Sequence, residues 1–301
     1  MISLWIPITF AAAFLQNLRS VLQKAIKGRL STTGAAYARF LYAWPLGLLY
    51  VWVLTENGFE LPTPNATFFI YCALGGIAQI LFTVVLLWMF SFRSFAVGTT
   101  FSKLEVVLIA GLGAVLLGDS VGPLALLAIG VGAVGTVVLS LTENRLSFGA
   151  VARGMLEPAT MIGLLSAAFL GASVVFFRGA TLALEHPDFI MAAAFSLSIA
   201  LIIQTIAMGL WFLAFDRDEL SHVIREWRRA APVGVVGMAC SVCWFTAFTL
   251  QNGAYVRALG QVELLFTFIA GVFVFREKTT LSEIIGVALI FVAILLILLA
   301  A

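Results

Sequence analysis

The 301-residue chain is 62% hydrophobic and only 11% charged, more apolar surface than a soluble core of this size can bury, which defines a polytopic membrane protein. The net charge of +2, with its basic residues in short loops, argues against a nucleic-acid partner. Cys72, Cys240 and Cys243 all fall in apolar runs and suit packing better than a disulfide framework. The CxxC spacing of Cys240 and Cys243, with no histidine beside it, is weak support for a metal or redox site, and no cofactor is expected.

Ten apolar runs of near-spanning length follow one another: 3–23, 34–54, 67–90, 95–117, 122–141, 159–180, 188–214, 232–252, 254–275 and 280–300. The first, opening MISLWIPITF without a basic leader or cleavage site, reads as a span and not a signal peptide. It is also the most polar. Gln16, Ser20 and Gln23 recur at i, i+4 and i+7 beside Asn17 and Arg19, so one face avoids lipid, either through helix-to-helix hydrogen bonds with Arg19 snorkelling or by lining a wet cavity. The second run carries Arg39 close enough to its start for that side chain to snorkel as well. In the fifth, Gly130, Gly132 and Gly135 spell GxGxxG. Within an apolar span this spacing predicts close helix packing and not a dinucleotide site, which needs a strand before it. Between the seventh and eighth runs, Leu220, Val223, Ile224 and Trp227 fall at i, i+3, i+4 and i+7 opposite Arg225, Arg228 and Arg229, which predicts a short amphipathic helix on the membrane surface.

One stretch is written twice. AVGTTFSKLEVVLIAGLGAVLL, closed by Gly118 and Asp119, returns as AYVRALGQVELLFTFIAGVFVF, closed by Arg276 and Glu277. A single shift of 158 residues carries Glu105 onto Glu263 and Asp119 onto Glu277 without a gap. Each copy has a carboxylate fourteen residues before a helix-end carboxylate, a separation of about 21 Å along a helix. Ionisable groups in apolar segments are costly, so a duplicated one points to a working site.

Five spans per half require the second half to enter the membrane inverted, and the loop charges agree. Lys24, Lys27 and Arg29 follow span one and Glu56 and Glu60 follow span two; Glu185 and Asp188 follow span six and Arg217, Arg225, Arg228 and Arg229 follow span seven. Twelve Lys and Arg residues gather on one face and Arg257 alone on the other, so the positive-inside rule puts both termini outside the cytoplasm. The domain reading is 1–145 for a first five-helix repeat, 146–158 for a linker and 159–301 for a second repeat.

This layout resembles the EamA-type members of the drug/metabolite transporter superfamily, whose ten spans form two inverted five-helix repeats. Leu104-Glu105 to Gly118-Asp119, and Val262-Glu263 to Arg276-Glu277 with Gly286 beyond, are similar to the family pattern of Glu-Pro, apolar run, Gly-Glu and a glycine-rich last helix. Arg39-Phe40 is similar to the start of its second helix. Val106 and Leu264 stand where the family has proline, so no proline kink is available at either place. The resemblance implies cytoplasmic termini, opposite to the charge count.

The resulting expectation is a secondary active transporter of the inner or plasma membrane that moves a small amphipathic or cationic metabolite by alternating access, with proton coupling as an option and a monomeric or homodimeric state. Its lining would be Gln16, Ser20, Tyr37, Gln79, Thr99, Ser102, Glu105, Trp244, Gln251 and Glu263. Glu105 would be kept ionised by Lys103 or Arg39, leaving Glu263 as the coupling acid; the alternative is that both acids are structural, each pairing with Lys103, Arg257 or a backbone end. The alternative, an intramembrane enzyme acting on a lipid-linked substrate, lacks convergent catalytic groups: His186 and His222 sit in separate loops.

Overall fold

The computed structural model describes residues 3–26, 29–89, 101–102, 104–143, 149, 158–273 and 279–301, and every regular element among them is helical apart from one isolated bridge residue, Leu30. In chain order the helices are α1 (Trp5–Ile26), α2 (Thr32–Leu41), α3 (Trp44–Glu56), α4 (Ala66–Met89), α5 (Glu105–Leu117), α6 (Pro123–Glu143), α7 (Pro158–Ala183), α8 (Phe189–Phe215), α9 (Arg217–Arg225), α10 (Trp227–Leu250), α11 (Gly253–Gly260), α12 (Val262–Phe273) and α13 (Leu281–Ala300). Large apolar side chains such as Trp52, Leu210, Val115 and Leu299 stand exposed, as lipid-facing residues do when the solvent is hydrocarbon.

Seven stretches of the described residues are long and apolar enough to cross a bilayer: Thr32–Glu56, Ala66–Val85, Pro123–Leu141, Thr160–Ala183, Phe189–Phe215, Trp227–Leu250 and Leu281–Ala300. Three of the ten predicted runs are missing from that set for separate physical reasons. Helix α1 is 22 residues long but diluted by Gln16, Asn17, Arg19, Ser20 and Gln23. The run 95–117 lies partly outside the described residues, leaving the 13-residue α5, and the run 254–275 is divided into α11 and α12. Thr99, Lys103 and Glu277, and nearly all of the predicted linker, also lie outside the described residues.

The chain forms two compact units, each drawing on both halves of the sequence. One comprises Pro7–Ile80 and Phe176–Gln251. Its core holds Ala38, Phe212, Val223, Ala230 and Val233, all fully buried. Helices α2 and α10 approach so closely that a Cβ on Gly234 would fall 2.4 Å from Cβ of Tyr42, and the Tyr42 hydroxyl donates to the carbonyl of Val223 at 2.8 Å. The break between α2 and α3 follows from Pro45, which has no N–H to donate to the preceding turn.

The amphipathic helix predicted beyond Phe215 is α9, but it stops at Arg225, and Trp227 opens α10 instead. Its apolar face is divided: Val223 is buried in the unit's core, whereas Ile224 and Trp227 are each 54% exposed. What fastens α9 is a carboxylate. Glu219 Oε1 accepts the backbone N–H of Ser31 at 2.6 Å, at the start of α2, and Gly34 gives it room, since a Cβ there would lie 1.9 Å from that oxygen.

The other unit comprises Met1–Ile6, Leu81–Val175 and Asn252–Ala301. Helices α6 and α13 pack backbone to backbone: a Cβ on Gly135 would meet the Gly286 carbonyl at 2.9 Å, and one on Gly286 would meet the Gly135 carbonyl at 3.1 Å. Two of the GxGxxG glycines, Gly132 and Gly135, are close-packing positions, as expected from their place in an apolar span, whereas a Cβ on Gly130 would meet nothing within 4 Å. Helix α5 ends at Gly118 in a left-handed conformation, φ 68°, with the Asp119 N–H turned back to the Gly113 carbonyl at 3.1 Å.

Candidate functional site

The two duplicated acids both sit just beyond an interruption of their helix. Glu105 is the first residue of α5, and the backbone before it is tightened: the Leu104 N–H donates to Phe101 at 3.1 Å and Val107 donates to Leu104 at 3.1 Å, each three residues back. In the second copy Gln261 donates to Ala258 at 3.3 Å and Leu264 to Gln261 at 2.9 Å, and Glu263 lies in the first turn of α12. The sequence leads one to expect unbroken helices here, with valine and leucine at the proline positions. The second break coincides with Gly260, a poor helix residue; nothing in the composition around Leu104 accounts for the first.

Glu105 is engaged. Arg257 Nη2 donates to its Oε1, and the two side chains are only 12% and 13% exposed. Both ends suit their helices: the anion stands in the first turn of α5 and the cation in the last turn of α11, each against the favourable pole of its helix dipole. Of the partners considered for Glu105, the fold supplies Arg257, which explains why this arginine is the exception in the loop-charge count. Lys103 lies outside the described residues, and Arg39 belongs to the other unit, beside Arg19. Helix α11 is itself held by Asn252, whose Oδ1 accepts the Ala254 N–H at 2.8 Å, and by Tyr255, whose hydroxyl accepts the Gly122 N–H at 3.2 Å. Glu263 is half-buried, with its carbonyl taking the Thr267 hydroxyl at 2.9 Å, and Ser102 is half-buried in a helical turn.

In the other unit the polar face of α1 is turned onto protein. Gln16 Oε1 accepts Trp244 Nε1 at 3.0 Å, Gln23 Nε2 donates to the Ala35 carbonyl at 3.3 Å, and Trp244 stacks on Phe248 with centroids 5.6 Å apart. One turn before Trp244, Cys240 meets Arg19 Nη1 at 4.0 Å and the Ala12 carbonyl at 3.6 Å. Arg39 is the next cation. A Cβ on Gly237 would touch Arg39 Cγ at 3.3 Å and Arg19 Cδ at 3.6 Å, so both stems cross one glycine, and their charges act on each other. The Nε of each is buried without a hydrogen bond.

The remaining predicted residues are dispersed. Tyr37 is buried against Phe212, centroids 5.2 Å apart. Gln79 accepts Gln204 Nε2 at 2.7 Å. Ser20 is exposed and bonds back to the Gln16 carbonyl at 2.8 Å. Gln251 closes α10, where its carbonyl and that of Phe248 accept Arg178 Nη1 at 2.7 and 2.5 Å. Arg178 thus satisfies carbonyls that a helix end leaves without partners. It and Gln204 escape the sequence reading, although a charge and an amide inside apolar runs are the signals that point to them.

Apolar helices of spanning length, with arginines, amides and acids turned into their packing, define a multi-pass all-α membrane protein. Residues 158–299 match the EamA-like transporter family, the family that the motifs of both halves resemble, and this stretch therefore carries that family's signature. Among solved structures, a protein crystal structure aligns over 98% of this chain and 96% of its own with a TM-score of 0.72 and 15% identity, a likeness of fold alone. No curated protein matches the chain.

Proposed function

We propose that the protein is a secondary active transporter that moves a small amphipathic metabolite across the inner or plasma membrane by alternating access, its ten spans arranged as two inverted five-helix repeats. The observation that carries the reading is the duplicated interruption: within a family of transporters, two stretches related by one shift both break their helix just before an acid. Interrupted helices are where such transporters place binding groups and absorb conformational change. Glu105 holds Arg257, so a cationic substrate would compete with that arginine for its carboxylate. Uptake or counterflow of a panel of radiolabelled organic acids, amines and neutral amphiphiles into liposomes containing the full chain tests the proposal. Saturable flux of one class, absent from empty liposomes, is the expected result, and flux no greater than in empty liposomes across the panel overturns it.

A further inference from the structure

Two arginines held in the packing of the described helices are neutralised. Arg257 has the Glu105 carboxylate, and Arg178 has two backbone carbonyls at the end of α10. Arg19 and Arg39 have neither. Among the described residues Arg19 makes a long approach to the Cys240 thiol, which also acts electrostatically on Arg39, and the ring of Phe40 lies under the Arg39 guanidinium, 5.0 Å from its centroid. A charge in a membrane interior is expensive, and a second like charge beside it raises the cost. Yet neither residue is fully buried, for all that the Nε of each is.

The two arginines also lie at matching depth. Arg19 precedes the end of α1 by as many residues as Arg39 follows the start of α2, about 10 Å from the loop joining those helices. That loop carries Arg29, and the sequence adds Lys24 and Lys27. Trp244 lies one turn beyond Cys240 on α10, pinned by Gln16, with Phe248 stacked on it. Planar guanidinium groups match carboxylate and phosphate oxygens better than any other side chain does.

We infer that Arg19 and Arg39 form an oxyanion site, taking the carboxylate or phosphate of an organic ligand whose apolar part rests near Trp244 and Phe248. As an account of cargo the inference rests on the transporter reading; as a binding site it does not. The test uses the full chain in phosphatidylcholine nanodiscs, with inorganic phosphate, benzoate and benzylammonium as probes and the melting midpoint as readout. At least one of the two anions is expected to raise the midpoint saturably while benzylammonium does not. Arg19→Gln and Arg39→Gln should each weaken the apparent affinity about tenfold or more, and Arg39→Lys less. Without ligand, Arg39→Gln should melt no lower than the parent, because an unneutralised charge has been removed; a lower midpoint marks a structural arginine and overturns the inference. No response of the parent to either anion, stabilisation by benzylammonium alone, or an anion response that survives both Gln variants overturns it too. Replacing part of the phosphatidylcholine with phosphatidylglycerol separates the sources. A soluble-anion response abolished by the anionic lipid identifies a headgroup as occupant, and an unchanged one a free solute. Absence of flux in the liposome assay leaves this outcome untouched, so the two readings fail separately.

Discussion

Arg257 reaches back from the last turn of α11 to bind the carboxylate of Glu105 at the first turn of α5, joining two segments that lie 152 positions apart in the sequence. The pair is mostly buried, so removing one partner strands the other charge. Glu105→Gln and Arg257→Gln should each destabilise the protein by about 3 kcal/mol, and the double variant should recover much of the loss. Melting of the detergent-solubilised single and double variants measures this. Effects that simply add would mean that the two groups are not coupled.

Glu219 gives a second coupling, between α9 and the start of α2. Its bond to the Ser31 N–H joins a charged acceptor to a helix N-terminus, so Glu219→Ala should raise the open population of the 215–231 segment about tenfold. Trp227→Glu should do much less, because Trp227 starts α10 and stands 54% exposed with the Arg228 guanidinium over its ring. Limited proteolysis of the two variants distinguishes them. Equal cleavage rates would restore the tryptophan as the anchor that the spacing suggests.

Orientation has its own test. The turn after α3 is exposed, whereas the native Cys72 and Cys240 are buried and Cys243 is half-buried, so a cysteine at Glu60 supplies an exposed thiol, to be read against the parent chain. The twelve-to-one excess of Lys and Arg predicts that Glu60→Cys reacts with an impermeant maleimide on intact cells. Reaction only after lysis would give the opposite topology, the one implied by the family resemblance.

Much of this molecule is legible in its sequence because lipid enforces simple rules. An apolar run must be a helix, so the helices at 66–89, 158–183, 189–215, 227–250 and 281–300 nearly coincide with the marked runs. Glycines in such a run mark close approach, which Gly135 and Gly286 make. A lone acid in such a run is conspicuous, which singles out Glu105 and Glu263. The breaks at Leu104 and Gln261 are not legible, since neither has a proline to announce it, and tertiary contacts decide backbone geometry at that scale. Partner choice is hidden for the same reason. Arg257 meets Glu105 and Arg178 meets the end of α10 only once distant segments have packed, so the charges can be counted from the sequence but not paired.

The last prediction concerns coupling. Alternating access driven by protons needs a carboxylate that gains and loses its proton during the cycle, and a low-dielectric setting makes that exchange possible by disfavouring the charged form. The two duplicated acids are unequal candidates. Glu105 is committed to Arg257. Glu263 begins the second interrupted helix with Gln261 on the turn before it, and Gln261 packs on Gly132, where a Cβ would lie 2.7 Å from its Oε1, without adding a charge. Liposomes containing the parent, Glu263→Gln or Glu105→Gln should therefore differ in a defined way when uptake is compared with and without an imposed proton gradient. The parent should respond to the gradient. Glu263→Gln should lose that response while still exchanging substrate at equal pH, because a permanently neutral side chain mimics one protonation state. Glu105→Gln should keep the response and lose stability, as the broken ion pair requires. If Glu263→Gln follows the gradient as the parent does, proton coupling does not run through this acid, and the duplicated carboxylates serve the architecture of the broken helices.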